Sequence, residues 1–97
     1  MMNGARGEVE VVIDGEPVKL CLTLGALAQI ETTLGVGGGQ ALADRLRKLT
    51  AADLVAVLVA LIQGGGTKSA SARQLAEMAE PRIAAVAVAR AFEAAAG

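Results

Sequence analysis

Apolar Val9, Val11 and Ile13 alternate with Glu8, Glu10 and Asp14 near the start of the chain. A period of two is the mark of a half-buried strand. Asp14-Gly15 follows, a dipeptide suited to a type I′ turn, whose two central residues both need positive φ. Such a turn sets the pairing of a hairpin over about 8–22. Val11 faces Val18, Val9 faces Leu20, Glu10 faces Lys19, and the inner face ends where Ile13 meets Glu16. One register thus gathers apolar residues on one side and sets opposite charges across from each other on the other side. Pro17 falls at a non-hydrogen-bonded pair, so its missing N–H would have pointed away from the first strand. An open outer edge near Pro17 is the expected consequence. A lone hairpin is marginal in water, so helices must cover Val9, Val11, Val18 and Leu20.

Beyond the hairpin the period changes to that of helices. Thr23 is a plausible N-cap for a helix over 24–34, with Leu27, Ile30 and Leu34 as its stripe, Ala28 alongside, and Gly35 at its end. Gly37-Gly38-Gly39 reads as a flexible joint. A second helix over 40–49 carries Leu42, Leu46 and Leu49, while Asp44, Arg45, Arg47 and Lys48 face water. Thr50 and Asp53 resemble a capping box opening a third helix over 51–63. Leu54, Val55, Val57, Leu58, Val59, Leu61 and Ile62 make this helix apolar on nearly every side. Such a helix is either the central core helix or partly an oligomer interface. Gly64-Gly65-Gly66 ends it and reads as a connector. Ser71 with Gln74 suggests a capping box for a helix over 72–79, and Pro81 suits the first turn of a last helix over 82–95. The stripe there is Ile83, Val86 or Ala87, Arg90/Ala91 and Ala94, with Val88 and Phe92 near its edges. Met1 to Ala5 reads as a loose start. The expected architecture is α+β: an N-terminal two-stranded β-hairpin packed against four or five mostly short α-helices, in one domain spanning 1–97.

Composition narrows the function more than it suggests one. Ala fills 21 of 97 positions and Phe92 is the only aromatic residue. Helices must therefore approach closely, and stacking of bases or sugars on rings is not expected. The net charge is −1, whereas a surface built for nucleic acid usually carries a basic excess. There is no His and one Cys, so a structural zinc site lacks ligands. Cys21 has no partner for an internal disulfide, which fits a reducing cytoplasm. No secretory leader is visible, and the longest apolar run, Leu54 to Ile62, is far short of the roughly 20 residues that span a bilayer.

No motif carries believable chemistry. Gly64-Gly65-Gly66-Thr67-Lys68-Ser69 is tempting as a phosphate cradle, but Thr67 separates the last Gly from Lys68, and the segment follows a helix where a P-loop follows a strand. Glu8, Glu10, Asp14 and Glu16 could attract a cation, though a solvated strand face accounts for them. Cys21 lacks an activating base and sits among apolar neighbours, as a packing residue does. A DNA-binding helix-turn-helix is not favoured, because neither the second nor the third helix offers the Arg, Lys, Asn or Gln side chains that reach base edges. No enzyme activity and no cofactor are expected. Surfaces for protein contact are expected at the open edge by Pro17 and along the over-apolar third helix at Leu58 and Ile62, with Phe92 as a further candidate. Self-association through Leu54–Ile62 or the Pro17 edge is the corresponding expectation, and a homo-oligomer is possible.

Arg6-Gly7-Glu8, Asp14-Gly15 and Leu22-Thr23-Leu24-Gly25-Ala26-Leu27-Ala28 with Ile30-Glu31 resemble a small protein of the tail gene cluster of alphaproteobacterial gene transfer agents, phage-like particles that package host DNA. Asp53-Leu54, Gly64–Gly66 and the ending Pro81…Ala89-Arg90-Ala91-Phe92 fit the same resemblance, which covers most of the chain. Glu80 precedes Pro81 where an Asp-Pro cap is expected. The resemblance implies a phage tail-assembly chaperone, a group also labelled tail tube protein. Its implied partners are the helical tape-measure protein and the tail tube protein, with no catalytic residues to carry over. Tube proteins are dominated by β-structure and are usually longer, so a mostly helical chain favours the chaperone. A structural component of the tail is the alternative, and a nucleotide- or DNA-binding module comes after it.

Overall fold

The computed structural model describes residues 7–96, so Met1–Ala5, read above as a loose start, lie outside the described residues. The expected α+β architecture is present. Strands β1 (Glu8–Ile13) and β2 (Glu16–Cys21) are followed by helices α1 (Leu24–Leu34), α2 (Gly39–Leu46), α3 (Ala51–Gly64), α4 (Ser69–Met78) and α5 (Pro81–Ala96).

The hairpin has the register that its turn dictates. Val9 pairs with Leu20, Glu10 with Lys19, Val11 with Val18 and Ile13 with Glu16. Asp14 and Gly15 hold φ of 52° and 79°, the positive values of a type I′ turn. Val11, Ile13, Val18 and Leu20 are buried, and Val9 packs against them half-buried. Glu10 and Lys19 oppose each other in register, yet no ion pair among the described residues joins them. Their attraction is the diffuse kind of two solvated charges.

The outer edge of β2 differs from expectation. In this register Pro17, Lys19 and Cys21 turn their backbone groups outward. The last turn of α3 lies against two of them. A Cβ on Gly64 would overlap the carbonyl oxygen of Cys21, and one on Gly65 would overlap that of Lys19. Only Cα–H groups fit there, aimed at the two oxygens as weak donors. The edge is therefore shut at Lys19 and Cys21. What stays exposed is the short stretch at Pro17, which has no N–H to offer. The glycines that read as a connector are a packing contact.

Caps explain most helix boundaries. Thr23 Oγ1 accepts from the Ala26 N–H at 3.1 Å, and Gly35 closes α1 in the left-handed conformation. Thr50 and Asp53 form the reciprocal capping box at the start of α3, both bonds at 3.1 Å. Ser71 caps nothing. Helix α4 starts earlier, at Ser69, with Lys68 in the N-cap position and no side-chain cap. Helix α2 ends at Leu46, short of Leu49, and a turn carries the chain to Thr50. Glu80 serves where an Asp-Pro cap was expected: its Oε1 accepts from the Arg82 N–H at 2.9 Å.

Helix α3 is the centre of the core. Val57 to Ile62 are all buried, with α1, α4, α5 and β2 packed around them. The stripe expected on α1 faces inward with Ala26 added to it, whereas α5 turns a different face inward than its larger apolar residues suggest. In α1 the buried set is Ala26, Ile30 and Leu34, with Leu27 half-buried and Ala28 outside. In α5 it is Ala84, Ala87, Val88 and Ala91, while Ile83 and Val86 stay 43% and 55% exposed. The alanine face wins in α5 because the helix lies close to both the hairpin and α3. Larger side chains would hold it away and leave voids.

Candidate functional site

An apolar groove forms where α2 meets α3 beneath α5. Leu46 closes α2, Leu49 follows in the turn, and Leu54 stands in the first turn of α3. Val88 and Phe92 of α5 face them, with Ala85 and Ala89 between. Together with Arg47 these residues line a groove of about 330 Å³. Leu46, Leu49, Leu54 and Phe92 are half-buried, whereas Ala85, Ala89 and Arg47 are exposed.

A clasp lies beside the groove. Arg45 Nη2 meets Asp53 Oδ2 at 2.7 Å and Arg45 Nη1 donates to the Lys48 carbonyl at 2.9 Å. This clasp ties the end of α2 and the following turn to the start of α3, and so fixes Leu46 and Leu49 beside Leu54. Arg45 thus turns inward to a partner, although the sequence placed it facing water. The pair is only partly exposed, at 32% and 18% for the two side chains. The backbone N–H of Thr50 and then the Arg45 guanidinium hold the Asp53 carboxyl below the usual carboxylate range. Arg47, in contrast, reaches Asp44 at 3.4 Å in the open, a contact that adds little.

The lining is chemically inert. Six aliphatic residues and one phenyl ring have no proton to exchange, and Arg47 is a permanent cation at the rim. Such a groove suits the apolar stripe of a helix, with a carboxylate on that helix placed near Arg47.

The sequence-predicted contact residues separate in space. Phe92 lines the groove. Pro17 is exposed on the hairpin, away from the groove's lining. Leu58 and Ile62 are 1% and 0% exposed, so in this fold they pack the core and present no surface. Of the places expected to support self-association, Val57–Ile62 are buried in the core, Leu54 and Val55 are half-buried, and Pro17 stays exposed next to an edge shut at Lys19 and Cys21. Leu46, Leu49 and Val88 went unrecognised as a site, while Leu54 entered only as the start of the self-association stretch. Their one signal was that two apolar stripes stop at the same capping box.

Other readings find their outcome here too. The Gly65 N–H donates to Leu61 and Ile62, Gly66 to Gln63 and Thr67 to Ile62, so the amides of the glycine segment are tied to the end of α3. Burial, with the Glu8 carboxylate adding to it, pushes the Cys21 thiol up, which disfavours the nucleophilic thiolate. No group of three or more potential metal ligands gathers among the described residues. No helix among them is long and apolar enough to cross a membrane.

Compared with known proteins, residues 6–96 match the family model described as phage tail tube protein, GTA-gp10. No curated protein and no solved structure matches the chain.

Proposed function

The chain belongs to the phage tail tube protein, GTA-gp10 family, and from that membership we propose that it is a non-enzymatic chaperone or adaptor of tail assembly. The coarser statement stands on the family itself: this is a tail-related protein of a phage or gene transfer agent. The finer one rests on the groove between α2, α3 and α5. It is apolar, with Arg47 at its rim and the Arg45–Asp53 clasp beside it, features that suit the apolar face of a helix, and the tape-measure protein is the helical partner implied by the family resemblance. The tail tube protein is the second proposed partner, and assembly in the cytoplasm is part of the same reading.

The test is co-expression with a tape-measure protein of such a tail, followed by co-purification. Ala89→Glu places a carboxylate in the groove at an exposed position, so the fold should persist while the complex is lost. A complex that survives Ala89→Glu removes the groove from the proposal, and tails that assemble without the protein remove the chaperone role.

The family's own description supports a second reading, a component of the tail itself. Among the described residues there are only two strands, few for a wall of β-structure. Mass spectrometry of purified particles separates the readings, because a structural component is present in stoichiometric amount.

A further inference from the structure

The two edges of the hairpin are not equivalent. On β2, α3 shuts the edge at Lys19 and Cys21, and Pro17 removes a donor. On β1, Glu8, Glu10 and Val12 occupy the non-hydrogen-bonded positions, so their N–H and C=O groups point outward. Among the described residues no backbone or side-chain group bonds to any of the three. The sheet ends there at two strands. Glu10 is exposed, Val12 is 59% exposed, and Glu8 is half-buried. An edge of this kind is a template for one more strand.

Charge selects what can add. Residues 7–21 carry four carboxylates, on Glu8, Glu10, Asp14 and Glu16, against the single lysine Lys19. Glu8 and Glu10 lie on the exposed face of β1 itself, while Val9 and Val11 lie on the face turned to α5. A second copy pairing β1 with β1 about a two-fold axis at Glu10 would set Glu10 against its own image, which opposes self-pairing. A strand with apolar residues toward Val9 and Val11 and basic residues beside Glu8 and Glu10 meets both demands.

We propose that the outer edge of β1 binds an extended segment of a partner protein, alternating apolar and basic residues, as a third strand. The backbone of Glu8, Glu10 and Val12 supplies the hydrogen bonds, and the glutamates supply the charge selection. This surface is separate from the groove and stands or falls independently of it.

The experiment follows amide hydrogen exchange of the full chain during titration with a soluble alternating Val–Lys peptide, using a Val–Glu peptide as control. The Val–Lys peptide should slow exchange at Glu8, Glu10 and Val12, and its binding should weaken as salt rises. Val12→Pro removes one outward donor at the pair where Pro17 already sits opposite, and should weaken binding about tenfold or more. Glu8→Gln with Glu10→Gln leaves the backbone intact and should flatten the salt dependence, which keeps the test decisive if Val12→Pro misfolds. Equal protection by both peptides, or protection confined to other residues, overturns the proposal. So does concentration-dependent protection of these three amides in the protein alone, because the edge would then belong to a second copy.

Discussion

Gly64 and Gly65 give the sharpest stability prediction. Replacing a helical glycine with alanine ordinarily stabilises by about 0.5–1 kcal/mol, since the unfolded chain loses more freedom with glycine. Gly65 has φ −81° and ψ −2°, a conformation open to any residue, so backbone strain offers no objection to alanine there. The objection is spatial. Besides overlapping the Lys19 oxygen, a Cβ at Gly65 would stand 2.6 Å from the Lys19 carbonyl carbon and 3.1 Å from its Cβ. Carbon atoms rest at about 3.5–4.0 Å, so the misfit is about an ångström against backbone that cannot rotate aside. Helix α3 must back away from β2, loosening Leu20, Leu61 and Ile62, all 0% exposed. Overpacking of this kind costs about 1–3 kcal/mol, and a gap of that size forfeits a quarter to a half of each contact it opens. The net expectation for Gly64→Ala or Gly65→Ala is a loss of about 2–3 kcal/mol, against a total of about 5–15 kcal/mol for a small domain. Urea unfolding followed by circular dichroism should show the lower midpoint, and Tm should fall by roughly 10–20 °C. Gly25→Ala is the matched control, since its Cβ would meet only Thr23 Oγ1 at 3.9 Å and the change should stabilise slightly. If Gly64→Ala and Gly65→Ala match or exceed the parent in stability, the α3–β2 contact is wrongly placed and the β2 edge is open.

Three further outcomes follow from the caps and the thiol. Thr50→Ala removes the acceptor for the Asp53 N–H and should cost about 1 kcal/mol in the same unfolding assay, whereas Thr33→Ala on the exposed side of α1 should cost little. Asp53 has its carboxyl held low in the fold, so its contribution is present above the unfolded value of about 4 and is lost as pH falls through the folded value. The parent should therefore lose more stability than Asp53→Asn between about pH 5 and pH 3, and parallel pH profiles would contradict the clasp. Cys21, with its thiol pushed up, should react with a disulfide reagent at neutral pH far more slowly than the same protein in urea, and equal rates would refute its shielding.

Local signals in the sequence were read well where one neighbour along the chain decides the structure. Asp14-Gly15 fixed a turn, the turn fixed six pairs, and Thr23, Gly35 and Thr50 marked helix ends because their partners lie within a few residues. Reading failed where the partner is distant in sequence. Gly64 and Gly65 have no side chain to enter a periodic pattern, and only β2 passing behind them reveals their role. In α5 the larger Ile83 and Val86 outweighed the alanines in the pattern, yet the fold needs closeness more than bulk on that side. Helix α4 starts at Ser69, two residues before the expected Ser71, with Lys68 in the N-cap position and no side-chain cap to mark it. The groove draws its lining from three segments, and no single stretch could announce it. Among the contact candidates Pro17, Leu58, Ile62 and Phe92, Phe92 alone lines the groove.

The shut edge of β2 also limits how hairpins of this protein can stack. Ribbon growth needs two usable sides per unit, one to receive a strand and one to offer the next. With α3 lying across one side, each hairpin has a valence of one. Edge-to-edge stacking of copies therefore terminates at the first junction instead of propagating. Two missing side chains, at Gly64 and Gly65, thus keep copies of this hairpin from growing into a filament.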